Sequence, residues 1–303
     1  MVMEEDLSHL DTDCRPHARM GVDDRLLWIK QDRWINYVRA ERVLDRLADL
    51  LSYPPRARMP SLLLFADPAM GKTHILEKFL RDHRSGSEFG SSARVPVACV
   101  QMPPYPHERD FYQEMLTALG TVVPDGMSVV TLRHRVRVLA RQLQLRMLVI
   151  DEIHAMLQGT FREQRIFLSA LRFLANDLRI PLVCLGTNEA KQALMTDQQL
   201  ADRFEAFDLP AWTDDAAFAQ LLKSFGALLP LQKRSELWEP KMRKRILSLT
   251  DGVMGRVCRL LENAATLAIK TGTECIRMEI LTDQLGAETL VSISDRRTRR
   301  AAN

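Results

Sequence analysis

Three consecutive residues, Gly71, Lys72 and Thr73, are of the types that bind phosphate groups and magnesium. They end a short turn after the apolar run 62–65, so we expect a strand, a tight turn and a helix. In such a loop the main-chain N–H groups point at the phosphates, Lys72 adds positive charge and the Thr73 hydroxyl ligates Mg²⁺. Ala66 replaces the usual first glycine and preserves the turn if its φ stays negative. The predicted nucleotide site comprises Ala66, Asp67, Pro68, Ala69, Met70, Gly71, Lys72, Thr73 and His74.

A second motif supplies two carboxylates. The apolar run 147–150 leads directly into Asp151 and Glu152. After a buried strand, Asp151 is placed to hold the Mg²⁺ shell and Glu152 to deprotonate a water that attacks the γ-phosphate. Alone, the first motif is compatible with an ordinary helix start and the second with a solvated turn. Together and in this order they predict ATP hydrolysis. We predict no catalytic role for His154, because Glu152 already supplies the base.

Composition limits the possible classes of protein. The chain has 303 residues, 46% of them hydrophobic and 27% charged, which suits one large or two modest soluble domains. The net charge of +3 is too small to indicate a nucleic-acid partner without a local patch. The five cysteines form no CxxC pair, which argues against structural zinc and for a reducing cytosol. The N-terminus lacks the apolar core of a signal peptide, and no run is long enough to span a membrane, so we expect a cytoplasmic protein.

Strands and helices alternate through the first two thirds of the chain. Strand candidates lie at 61–66, 95–101, 146–150, 180–186 and 204–209. Helices are predicted between them at 71–84, 108–120, 128–145 and 161–178, and one or two short helices over 189–203. This order predicts an α/β fold with a mostly parallel five-stranded sheet, whose ligands lie at the carboxyl ends of the strands. After Pro210 only helices are predicted, at 214–229, 238–249, 255–271 and 277–285.

Four regions follow from this pattern. Residues 1–58 form an N-terminal segment, polar and mobile to about residue 24 and then helical over 25–51. The α/β nucleotide-binding domain covers 59–210 and a small all-helical lid domain covers 211–286. We expect 287–303 to be a basic, disordered tail.

A phosphate-loop α/β domain followed by a helical lid resembles the AAA+ ATPases. Within that class the chain is similar to the TniB/TnsC family of transposition ATPases, and most similar to TniB. Beyond the two motifs, the resemblance is carried by YVRA at 37–40, LGTN at 185–188, LADRF at 200–204 and GVMGR at 252–256.

The resemblance assigns further roles. Asn188, or failing it Thr187, would hold the attacking water; the alternative for Asn188 is a turn or N-cap residue. Arg203 would act as an arginine finger on a neighbouring subunit's nucleotide, unless it only forms a salt bridge with Asp202 or Glu205. Arg256 would report the nucleotide to the lid, unless it is a solvated residue at a helix start.

One predicted helix carries a row of arginines. Over 131–145 the apolar residues fall on one face, and Arg133, Arg137 and Arg141 fall on another. Such a row can follow a phosphate backbone without reading base sequence. The alternative is an ordinary solvated helix face, because arginine is a good helix former.

The resemblance also implies a function. Proteins of this family assemble with ATP as rings or filaments on double-stranded DNA, recruit a DDE transposase and disassemble on hydrolysis. Two alternatives remain open. One is a different AAA+ machine, such as a helicase loader or a clamp-type repair ATPase. The other is a nucleotide-dependent scaffold with little hydrolysis.

Overall fold

The computed structural model describes residues 6–83, 94–123, 126–282 and 285. They fall into two compact units. Among these residues, the sheet unit comprises 42–68 and the described part of 72–210, and the helical unit comprises 6–41, 69–71 and the described part of 211–285. The chain passes from the sheet unit to the helical unit between residues 210 and 211. The predicted N-terminal region 1–58, however, is divided at residue 41 between the two units.

Five short strands form one sheet in the sheet unit. They are β1 (Ser61–Phe65), β2 (Val97–Gln101), β3 (Met147–Asp151), β4 (Leu182–Gly186) and β5 (Phe204–Asp208). The order across the sheet is β2-β3-β4-β1-β5, and all four pairings are parallel. Every residue of β1 and β4 is buried, as expected of central parallel strands covered on both faces. The predicted α/β class with a parallel five-stranded sheet is confirmed.

The helices take these bounds in chain order: α1 (Arg15–Ala18), α2 (Val22–Ile29), α3 (Val38–Ser52), α4 (Lys72–Asp82), α5 (Glu108–Ala118), α6 (Val129–Gln142), α7 (Phe161–Leu178), α8 (Ala190–Met195), α9 (Gln198–Ala201), α10 (Ala216–Leu228), α11 (Pro240–Thr250) and α12 (Met254–Lys270). A 3₁₀ helix covers Ile153–Gln158. Side-chain caps begin several of these helices. Thr160 and Glu163 form a reciprocal capping box at α7, and Ser128 and Asp215 cap α6 and α10.

The N-terminal residues differ from expectation. Leu7, Leu10, Cys14 and Ala18 form a small buried core against Trp28, so the prediction of a mobile polar segment to residue 24 is wrong for residues 6–24. The predicted helix 25–51 is two helices, α2 and α3, with a break between them. The apolar residues of 6–24 are too few to show a helical period, and they become buried only by packing within the helical unit.

A buried arginine joins α2 to the rest of the helical unit. Arg25 is 3% exposed and donates to the Pro230 carbonyl and to the Glu274 carboxylate. Burial of this charge is tolerated because both partners satisfy its donors.

Two C-terminal predictions have different outcomes. The predicted last helix, 277–285, is wrong over its first residues, because residues 278–280 form a turn. The predicted tail 287–303 lies outside the described residues. In the described part of the chain, no helix has both the length and the apolar composition to cross a bilayer.

Candidate functional site

The loop after β1 has the backbone of a phosphate cradle. Ala66 continues the sheet, since its N–H donates to the Gly186 carbonyl at 3.2 Å. Its φ is not positive, so the condition for replacing the first glycine is met. The left-handed positions are Ala69 and Gly71, with φ of 62° and 90°. A loop that alternates its backbone in this way can direct successive N–H groups inward at an anion.

Lys72 begins α4 and lies beneath this loop. It is 7% exposed, and its Nζ donates to the Ala66 carbonyl at 2.9 Å and to the Asp67 carbonyl at 3.2 Å. An ammonium has three donors, so one remains for a ligand. Burial lowers the pKa of Lys72, whereas the charges of Glu152, Asp151 and Asp67 act in the opposite direction. The cation is therefore held among acids and loop carbonyls at the start of a helix.

The two acids lie at the carboxyl end of β3, as the sequence predicts for the end of a strand. Asp151 Oδ1 accepts the N–H of Glu152 at 2.8 Å. Glu152 has φ 57° and ψ 35°, a left-handed conformation that is uncommon for residues other than glycine. Such backbone strain concentrates at functional sites, where the surrounding structure maintains it.

His154 connects the acidic pair to the next strand. Its Nδ1 accepts the Thr187 N–H at 3.4 Å, and its Nε2 lies 3.3 Å from Glu152 Oε2. In a neutral ring that accepts at Nδ1, the proton is on Nε2 and faces the carboxylate. Sequence reasoning assigned His154 no catalytic role, and it missed this contact, which orients Glu152.

Gly186 makes room for that histidine. A Cβ at this position would lie 2.8 Å from Ala190 Cβ, 3.2 Å from His154 Nδ1 and 3.3 Å from Ile153 Cγ2. The close approach of the 3₁₀ helix to the end of β4 therefore depends on the missing side chain.

Thr187 and Asn188 follow β4, and their side chains have different partners. Asn188 Nδ2 donates to Asp67 Oδ1 at 2.8 Å and so joins β4 to the phosphate loop. Thr187 Oγ1 is buried and has no hydrogen-bond partner among the described residues. An unpaired buried hydroxyl is costly unless a ligand or water completes it. The geometry keeps both residues as candidates for holding a water.

The arrangement of these groups fits a nucleoside triphosphate with its Mg²⁺ ion. The carboxyl ends of β1, β3 and β4 carry the loop, the acids and the Thr187 hydroxyl, which is the edge where parallel sheets bind ligands. Thr73 is exposed at the start of α4 and Asp151 is half-buried, so both can reach a metal that accompanies the phosphates. Within the described ranges, no three or more His, Cys, Asp and Glu residues group as a metal site of their own.

Arg203 lies at the other end of the sheet, before β5. Its Nη1 donates to Asn176 Oδ1 at 2.6 Å, and its Nε is buried without a partner among the described residues. No ion pair with Asp202 or Glu205 is present there; Glu205 pairs instead with Arg46. Burial lowers the pKa of Arg203, and the nearby positive charge of Arg58 adds to this.

Arg256 lies in the first turn of α12, in the helical unit. Its Nη1 donates to Asp251 Oδ2 at 2.6 Å. The preceding Gly252 has φ 69°, and a Cβ there would lie 2.2 Å from the Trp212 carbonyl oxygen, so only glycine fits. Within the same unit the Gly255 N–H donates to the carbonyl of loop residue Ala69 at 2.9 Å. The start of α12 is therefore joined to Ala69 by a main-chain hydrogen bond inside the helical unit.

The predicted arginine row is only partly exposed. Arg137 makes two hydrogen bonds with Asp177, each of 2.7 Å, and Arg141 also pairs with Asp177. The guanidinium carbons of Arg133 and Arg137 lie 5.6 and 5.4 Å from the centre of the Phe173 ring. Of the three, only Arg141 is exposed. The reason is that α7 packs beside α6 and presents an acid and an aromatic ring to it, which the pattern of α6 alone does not reveal.

The fold and the site define a class of protein. A parallel sheet of order β2-β3-β4-β1-β5, a phosphate loop after β1, an acidic pair after β3 and a helical C-terminal region are those of an AAA+ ATPase fold. The family model described as bacterial TniB protein matches residues 25–214, which is more than half of the chain. The chain therefore belongs to the TniB family.

Solved structures of similar fold include ORC and Cdc6 proteins. The Aeropyrum pernix ORC2 protein, solved as ADPNP–ADP complexes, is 14% identical with a TM-score of 0.61, over 88% of this chain and 73% of that one. Cdc6p from Pyrobaculum aerophilum is 19% identical with a TM-score of 0.61, over 87% and 72%. The Aeropyrum pernix ORC1 protein, solved in complex with DNA, is 19% identical with a TM-score of 0.57, over 86% and 68%. A comparison with curated proteins found no match.

Proposed function

We propose that this chain is an ATP-driven switch of DNA transposition. Copies that hold ATP and Mg²⁺ assemble as a ring or filament on double-stranded DNA and recruit a DDE transposase, and hydrolysis releases them. The proposal is carried by one observation: Lys72, Asp151, Glu152 and the unpaired Thr187 hydroxyl meet at one edge of the sheet in a member of the TniB family. Nucleotide and DNA in the related crystal structures add support.

The residues divide the reaction among them. The loop amides of 66–73 and the Lys72 ammonium bind the β- and γ-phosphates, and Thr73 and Asp151 hold the Mg²⁺ that accompanies them. Glu152, oriented by His154, takes a proton from water, and the water oxygen attacks the γ-phosphorus. The bond between the γ-phosphorus and the bridging oxygen breaks at the same time, and ADP leaves with that oxygen. Thr187 or Asn188 positions that water. Arg203 of another copy stabilises the charge on the transferred group, and Arg256 transmits the nucleotide state to α12.

The substitution Glu152→Gln tests the switch. It removes the base and leaves the loop intact, so ATP should still bind while turnover falls by roughly 10²- to 10⁴-fold. DNA-bound assemblies should then persist with ATP, as measured by sedimentation and by electron microscopy. They should also retain a purified DDE transposase. A Glu152→Gln chain whose DNA-bound assemblies are no longer-lived than those of the wild type would refute the coupling.

Lys72→Ala is the matched control for nucleotide binding. Loss of the ammonium should abolish ATP affinity in an equilibrium binding assay, and with it the DNA-dependent assembly of this variant on its own. Unchanged ATP affinity would show that the loop assignment is wrong. Turnover measured with and without duplex DNA separates the switch from a scaffold, because a scaffold would show little hydrolysis in either condition.

A further inference from the structure

A cationic pocket lies at the amino ends of β1 and β5, in the sheet unit. It has a volume of about 360 Å³, and its lining includes Arg56, Arg58, Arg203, Tyr53, Gln199 and Asp202. Arg58 precedes β1 and Arg203 precedes β5. The two strands pair in register from Ser61 and Phe204, and the Ser61 N–H donates to the Arg203 carbonyl at 2.9 Å. The backbone therefore holds the two arginines side by side.

The residues that line the pocket carry more positive than negative charge. Three arginines line it with one aspartate, and that Asp202 accepts a hydrogen bond from Gln198 at 2.7 Å. Arg203 has a neutral partner, Asn176, and a buried Nε with none among the described residues. Arg56 lies over the Tyr53 ring at 4.9 Å. Two neighbouring guanidinium groups repel each other, and the unpaired Nε of half-buried Arg203 adds to the cost, unless an anion completes the site.

The shape of these donors selects phosphate. A guanidinium presents a planar fork of N–H groups that matches two phosphate oxygens at once, and two such groups suit a multiply charged anion. This chain's own loop cannot supply that anion. The loop follows the carboxyl end of β1 and the pocket precedes its amino end, about 16 Å away along a five-residue strand. A second copy packed head to tail brings opposite ends of the sheet together.

We propose that this pocket receives the terminal phosphate of a nucleotide held by a second copy of this chain, with Arg58 as a second guanidinium beside Arg203. The inference rests on the proposed function and goes beyond it, since the resemblance assigns a role to Arg203 alone. Arg203 presents its guanidinium to the phosphate from the pocket wall, and the exposed Arg58 supplies the second guanidinium. Arg56 adds positive potential from its place on Tyr53.

Turnover of the full chain is the first test. Arg58→Ala should lower kcat at least about tenfold in assembled protein while leaving ATP affinity of dilute protein unchanged. Arg58→Lys should recover only part of the rate, because it keeps the charge and loses the fork. Arg42→Ala, which removes an exposed arginine of α3 outside the pocket, should behave like the wild type. Equal rates for Arg58→Ala and Arg42→Ala would overturn the inference.

Mixing two inactive chains tests whether the pocket acts on another copy. Lys72→Ala keeps the pocket and loses the nucleotide, whereas the double variant Arg58→Ala/Arg203→Ala keeps the nucleotide and loses the pocket. Mixed at equal amounts, they should recover roughly a quarter of the wild-type rate. A head-to-tail interface is productive only when the double variant supplies the nucleotide and Lys72→Ala supplies the pocket, which is one of the four possible combinations. No recovery, with both chains present in the assembly, would overturn the inference.

Two further measurements show whether the phosphate comes from a neighbouring copy, from a free anion or from DNA. Pyrophosphate binding to Lys72→Ala that is lost on Arg58→Ala, without recovery on mixing, would identify a free anion and overturn the second-copy assignment. A fall in duplex affinity without a change in turnover would make the pocket a DNA contact, with the same consequence. If the wild type turns over ATP, and Arg203→Ala lowers turnover of the assembled protein but Arg58→Ala does not, only this inference fails. A wild type without ATP turnover would refute the proposed function itself.

Discussion

At the scale of single residues, the site is organised by short polar contacts between strand ends. His154 contacts both Glu152 and the Thr187 N–H, so the proposed base and the candidate water-binding residue share one support. Asn188 ties the end of β4 to Asp67 in the phosphate loop. A base held in this way needs less reorganisation when the reaction occurs, which is the main source of catalytic power in such sites.

Gly186→Ala tests this support. The added methyl would lie 2.8 Å from Ala190 Cβ and 3.2 Å from His154 Nδ1, so either the histidine or α8 must shift. We expect a loss of about 1–3 kcal/mol in unfolding free energy by urea denaturation, and a fall in ATP turnover as Glu152 loses its partner.

Gly226→Ala is the control for that substitution. The Cβ added there would meet nothing closer than 3.6 Å and lies within α10, so the chain should be unchanged or slightly more stable. A Gly186→Ala protein with wild-type stability and turnover would contradict the support role of His154.

At the scale of secondary structure elements, α6 and α7 are joined by charge. Asp177 of α7 accepts hydrogen bonds from Arg137 and Arg141 of α6. The hydrogen bond from Arg137 is the largest cause that lowers the pKa of Asp177 below its ordinary value of 3.8. The arginines expected to face DNA thus also hold two helices together, and these two demands compete for the same side chains.

Asp177→Asn should destabilise the sheet unit by up to about 1 kcal/mol at pH 7, as measured by urea unfolding, because the partners are only partly buried. The folded-state pKa is lowered, so the stabilisation is present above about pH 4 and is lost as pH falls through the folded pKa. The difference from wild type should therefore shrink below pH 4. Asp45→Asn, an exposed carboxylate on α3, should show no such effect. A pH-independent difference would mean that the ion pairs do not cause it.

At the scale of the whole molecule, charge is nearly balanced. The net charge is +3 and the sequence pI about 8.6, so long-range attraction to DNA is weak for one copy. Binding to duplex DNA would then depend on a few local cations repeated in each copy of an assembly. Arg141 is the exposed member of the predicted row, with 51% of its side chain accessible.

Arg141→Ala should weaken duplex binding by the assembled protein and reduce the slope of log K against log salt by about one per copy, if it neutralises one phosphate. A salt titration of DNA affinity, with the Arg42→Ala protein as control, measures this. The effect should not depend on DNA sequence. An unchanged slope would remove the α6 arginines from the DNA interface.

The predictions that held at the level of fold rest on local patterns. All five strands were located to within two residues. For β1, β3 and β4 the reason is that burial on both faces of a sheet demands a continuous apolar sequence, whereas β5 has no buried residue. The phosphate loop and the acidic pair were located by residue types at fixed spacing after a strand. The predictions were wrong where the local sequence has no such pattern. In residues 6–24 the few apolar side chains gain partners only by packing in the helical unit.

Tertiary structure decided which side chains meet. Asn188 and Asp67, Arg137 and Asp177, and Arg58 and Arg203 are distant in sequence and lie together because strand order and helix packing place their elements side by side. Periodicity specifies which face of an element is buried, but not which polar group lies opposite. The positions of the loop and the acids at the ends of β1 and β3 could therefore be inferred from sequence, whereas the contact of His154 with Glu152, the pairing of Arg137 and Arg141 with Asp177 and the cationic pocket could not.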